Sequence, residues 1–142
     1  SKSSRVLDTP EINSDVTGPG AMFALALMYM KTNNKSILRS LSLPVTSFEI
    51  DSMRPDMMLY RSVCVCLVMW EEALPTVEWI DSMIPRIVLD AISSQKPSLS
   101  LSLSSSSFPT LFSSEKLNSS VAIEAYICTL AGLSLGISLV YA

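Results

Sequence analysis

From Gly20 to Met30 the chain reads Gly-Ala-Met-Phe-Ala-Leu-Ala-Leu-Met-Tyr-Met, and from Gly132 to Ala142 the same order of small and large positions returns. Laid on one another, Gly20 pairs with Gly132, Phe23 with Leu135, Ala24 with Gly136, Leu25 with Ile137, Ala26 with Ser138, Leu27 with Leu139 and Tyr29 with Tyr141. A helix with small residues at i and i+4 lets a neighbouring helix come close while aliphatic side chains fill its remaining sides. Gly20, Ala24, Ala26, Tyr29, Gly132, Gly136, Ser138 and Tyr141 are therefore the candidate repeat motif, structural rather than chemical. Internal self-similarity of this kind predicts units that bury their apolar faces against each other, and the spacing holds about three units of the usual 20 to 45 residues.

The remaining pattern is also helical. Thr17 or Gly18 can cap a helix with Pro19 at its first position, and asparagines at 33–34 can close it, because asparagine tolerates the left-handed conformation. A short second helix is expected at Ile37 to Leu41, capped by Ser36 and stopped by Pro44, which makes a helical hairpin. Phe48 to Ser52 reads as a connection. Pro55 opens a helix to Trp70 that is apolar all round and so predicted to be buried on most sides, with Arg61 either an internal ion-pair partner or, the favoured reading, reaching to its edge. Thr76 caps a brief turn carrying Trp79 and Ile80, and Ile84, Ile87, Val88, Ala91 and Ile92 form one helical face with Arg86 and Asp90 outward. Residues 1–16 read as a flexible lead-in, 17–92 as helical repeats, 93–114 as a disordered serine-rich loop, and 115–142 as a helix of a further repeat cut short by the chain end. The helices over 20–31 and 118–142 are expected to be the enclosed ones.

Composition narrows the function. With 49% hydrophobic and 16% charged residues, the chain carries more apolar surface than a self-sufficient domain of 142 residues needs. A net charge of −3, with only 10 lysines and arginines thinly spread, argues against a nucleic acid partner. Histidine is absent, which removes the commonest general base, the Ser-His and Cys-His pairs and most zinc sites. Cys64 and Cys66 stand one residue apart, not in a two-spacer redox or zinc motif, and read as reduced core cysteines. Glu71-Glu72 diverge in direction on a helix and read as a solvated helix end. No catalytic, cofactor-binding or metal-binding residue emerges, and no cofactor is implied.

In order and spacing, Asp15-Val-Thr-Gly-Pro-Gly-Ala21 leading into Leu25-Ala-Leu-Met-Tyr-Met-Lys-Thr32, then Arg54-Pro-Asp56 with Leu59 and Arg61, Trp70, Pro75, Glu78-Trp-Ile80, Ile84-Pro85, and 131–142, are specific. They resemble the proteasome/cyclosome repeat family, in the form found in the anaphase-promoting complex. The family often has glycine where this chain has Ala26, Asn33 and Ser138, and the smallness is kept at Ala26 and Ser138. The resemblance implies an all-α fold of helical-hairpin repeats, a closed or curved α-solenoid of toroid type. It also implies a non-catalytic scaffold segment of a multisubunit E3 ubiquitin ligase controlling cell-cycle progression. The partners implied are the ligase's other subunits, of cullin, RING and tetratricopeptide type, in the nucleus and cytoplasm. The solenoid scaffold subunits of the proteasome regulatory particle share the 20–30 pattern but not Arg54-Pro-Asp56 or Trp79. A third alternative is a small single-span membrane protein using 125–142, whose 18 residues carry no charge and include Gly132-Leu-Ser-Leu-Gly136.

Overall fold

A computed structural model describes residues 14–94 and 117–142. Among them are seven helices and no strand: α1 Ser14–Met28, α2 Lys35–Leu41, α3 Ser47–Ser52, α4 Pro55–Val68, α5 Val77–Met83, α6 Arg86–Ser93 and α7 Ser119–Val140. The all-α expectation holds. The expected loop at 93–114, with its alternating Leu99, Leu101 and Leu103, lies outside the described residues except for Ser93 and Ser94.

Local chemistry accounts for most helix starts. The Asn34 side chain accepts from the backbone N–H groups of Ser36 (3.0 Å) and Ile37 (3.3 Å), so Asn34, not Ser36, caps α2. Thr76 Oγ1 caps α5 through Trp79 N–H, and Asn118 caps α7 through Ser120 N–H. Pro55 opens α4 with its φ preset. Other expectations also need correction. The chain is helical from Ser14, three residues inside the expected lead-in, and Pro19 sits within α1 rather than at its start. Proline removes one N–H, which here costs only the bond to the Asp15 carbonyl near the helix beginning. The 48–52 stretch is a helix because Thr46 and Glu49 form a reciprocal capping box: Thr46 Oγ1 accepts from Glu49 N–H and Glu49 Oε2 from Thr46 N–H.

The helices α1, α4 and α7 lie side by side and run the same way. At the α1 end, Lys31 and Asn33 donate their N–H groups to the carbonyls of Leu67 (3.1 Å) and Val68 (3.0 Å), which α4 leaves open at its C-terminus. Earlier along the pair, the rings of Phe23 and Tyr60 meet edge-on at 5.9 Å. On the other side of α4, Gly132 lies at Leu59 and Ser62, and Gly136 at Val63 and Cys66, so both sequences ascend together. The intervening helices return the chain, α2 packing on α1 and α4, and α6 on α7.

Two cores meet at α4. One joins Val63, Cys64, Leu67 and Val68 to Ala26 and Leu41; the other joins Met58 and Cys66 to Ile84, Val88, Ala125 and Leu133. Each residue advances about 100° around a helix, so Cys64 and Cys66 point to nearly opposite sides. That is why one thiol belongs to each core. The enclosed helix is therefore α4, with Ser62 to Val68 all buried, whereas α1 and α7 each keep an exposed face. Arg61 donates through Nη1 to the carbonyls of Ser40 (3.2 Å) and Ser42 (2.8 Å), closing the end of α2.

The turn after α1 needs left-handed backbone, with φ 64° at Lys31 and 49° at Asn33. Asn33 occupies the position where glycine is common in the resembling family, and asparagine is the next best tolerated residue there. Asn33→Val is expected to lower unfolding free energy by about 1–2 kcal/mol, and Asn33→Gly by less. Denaturant melts of the two variants measure the difference.

Candidate functional site

The feature with the tightest geometry is the seam between α4 and α7. A Cβ built on Gly132 would fall onto the Leu59 carbonyl oxygen and 2.7 Å from Ser62 Cβ. One built on Gly136 would lie 2.6 Å from Cys66 Cβ and 2.7 Å from its sulfur. Glycine is required at both positions because backbone and branch-point atoms of α4, not flexible side-chain ends, occupy the space. Around them Leu133, Ala122 and Thr129 are fully buried, and Cys66 directs its thiol toward the Leu133 carbonyl at 4.0 Å. Ser62 hydroxyl is satisfied by the Met58 carbonyl at 2.7 Å, while Thr129 hydroxyl has no hydrogen-bond partner.

The motif positions do not all behave alike. Gly132 and Gly136 are on the seam. Ala26 is fully buried against α4, and Tyr29 is half-buried in the same cluster. Gly20 and Ala24 are exposed, and a Cβ on Gly20 would meet nothing within 4 Å. Ser138 is exposed with its hydroxyl returned to the Ser134 carbonyl, and Tyr141 hydroxyl donates to the Ala73 carbonyl at 3.1 Å. Where the three parallel helices end, Lys31 ammonium sits 4.3 Å above the Trp70 ring, and Glu72 takes Lys35 at 3.8 Å and the Asn33 amide.

A family model described as the APC1 fifth domain matches residues 1–142. The chain belongs to the APC1 fifth-domain family. Proteins called anaphase-promoting complex subunit 1 from mouse and human are each 38% identical to it over 138 residues, 96% of this chain. The Arabidopsis thaliana protein of the same name is 39% identical over 89 residues, 63% of this chain. An Emericella nidulans protein called negative regulator of mitosis is 32% identical over 68 residues, 48% of this chain. This chain spans only 6% of the mouse and human relatives' length, 5% of the Arabidopsis one and 3% of the Emericella one.

In this APC1 fifth-domain chain burial sets the state of the cysteines at and near the seam. Burial pushes the Cys66 thiol up to about 12 and the Cys64 thiol up to about 11, the latter held back by the nearby Arg61 charge. Burial also raises Cys128, helped by the carboxylates of Glu124 and Asp56. A thiol of this kind is protonated and a poor nucleophile near neutral pH. Among the described residues no cluster of three or more histidine, cysteine, aspartate or glutamate side chains is placed to hold a metal. The arrangement positions helices. The helix α7 is also long and apolar enough to cross a membrane by length and composition.

Two outcomes follow from this geometry. Gly132→Ala and Gly136→Ala should each destabilise the chain by about 1–3 kcal/mol through overpacking, whereas Gly20→Ala should be neutral or stabilise by roughly 0.5–1 kcal/mol; thermal melts separate the classes. The thiols give a pH dependence. Their folded pKa values lie above the unfolded one, so the neutral thiols contribute fully below about pH 9, and that contribution is lost as pH rises toward 11–12. Melts at pH 8 and pH 10.5 should show a lower midpoint at the higher pH, with Cys64→Ala, Cys66→Ala showing a shallower decline.

Proposed function

We propose that this chain is a segment of a helical-hairpin solenoid that acts as a non-catalytic scaffold in the anaphase-promoting complex, a multisubunit ubiquitin ligase of cell-cycle control. One observation carries the solenoid reading: the exposed and buried faces of α1 and α7 are interchanged. In α7 the side facing α4 holds Gly132, Leu133 and Gly136, all buried, and the equivalent α1 positions Gly20, Ala21 and Ala24 are all exposed. In α1 the side facing α4 holds Met22, Phe23, Ala26 and Tyr29, and the equivalent α7 positions Ser134, Leu135, Ser138 and Tyr141 are exposed. Two copies of one helix on opposite flanks of α4 leave opposite faces open only if each unit is a translated copy of the last. That is the property of a solenoid, and the open faces would be covered by preceding and following helices of a longer chain.

Family membership supports the complex, and the seam supports the manner of action. Parallel helices locked at glycine contacts make a stiff element, which holds other modules at fixed separation, so that effective concentration supplies the rate advantage. The partners proposed are the complex's own subunits, of cullin, RING and tetratricopeptide type, in the nucleus and cytoplasm. The packing of α7 along α4 favours a core helix over a membrane span.

The test is affinity purification of the parent protein from its own cells, washed in moderate salt and identified by mass spectrometry. Cullin, RING and tetratricopeptide subunits are expected. Proteasomal ATPases in their place would support the proteasome alternative, and recovery only from the membrane pellet would support a span. Ala24→Arg in the parent chain should reduce recovery of those subunits severalfold. Unchanged recovery would mean that the α1 face is open to solvent in the parent, which removes the solenoid reading.

A further inference from the structure

We draw no further inference here: the strongest candidate, the apolar groove that Leu38, Leu43, Val65, Met69, Ile84 and Leu89 line between α2, α4 and the α5–α6 pair, carries nothing because nothing in the structure shows what covers it.

Discussion

At Gly132 and Gly136 the backbones of α7 and α4 come so close that no side-chain atom fits between them, and much of the fold follows from that contact. Close approach along a glycine row fixes the direction and register of the two helices together, because a shift by one residue would bring a Cβ against the facing backbone. The register then determines which α4 residues face α7, namely Leu59, Ser62, Val63 and Cys66. It also determines which are left for α1 on the far side, where Tyr60 and Cys64 pack. The Cys-x-Cys spacing is explained by this geometry without any chemistry of the pair.

Parallel packing has an electrostatic cost, since the aligned peptide dipoles gather partial negative charge where the helices end. The chain offsets this locally. Two α4 carbonyls are satisfied by the backbone of the turn after α1, and Lys31 brings a positive charge to the same end above Trp70. The left-handed backbone at Lys31 and Asn33 is what aims those N–H groups at the next helix. Strain in one turn thus joins α1 to α4, and it explains why glycine or asparagine suits position 33.

Much of this was legible in the amino-acid order, because a small-large pattern that recurs in register is a direct trace of helix packing. The helix after Pro55, apolar all round, announced its own burial, and Thr76 announced a cap, although the brief turn expected after it is the helix α5. Other features depended on partners that no local pattern displays. Arg61 finds carbonyls about twenty residues back in the chain, a contact that only the hairpin of α2 against α4 creates. The capping box at Thr46 and Glu49 was visible as Thr-x-x-Glu, yet the neighbouring stretch is too short for its periodicity to declare a helix. The helices expected to be enclosed are the flanking ones: α1 and α7 each pack against α4 and a shorter helix and keep an exposed face, and a small-large pattern alone does not tell which sides of a helix are covered.

The same reasoning explains why α4 lacks the glycine row while sharing the role of α1 and α7. Close contact between two helices requires only that the combined volume at the crossing be small. Where α7 contributes Gly132 and Gly136, α4 can present Ser62 and Cys66. Where α1 contributes Ala26, Met22, Phe23 and Tyr29, α4 presents Val63, Cys64 and Leu67 to the same cluster and the ring of Tyr60 to Phe23. Volume is conserved across a seam rather than at a position, so helices with the same packing can differ in sequence while their spacing persists. A drift of this kind hides α4 from a comparison of glycines and leaves its all-round apolar surface as the mark of a helix with a neighbour on each side. Such a helix spends its side chains on packing, and it fixes the distance between the helices on its two sides.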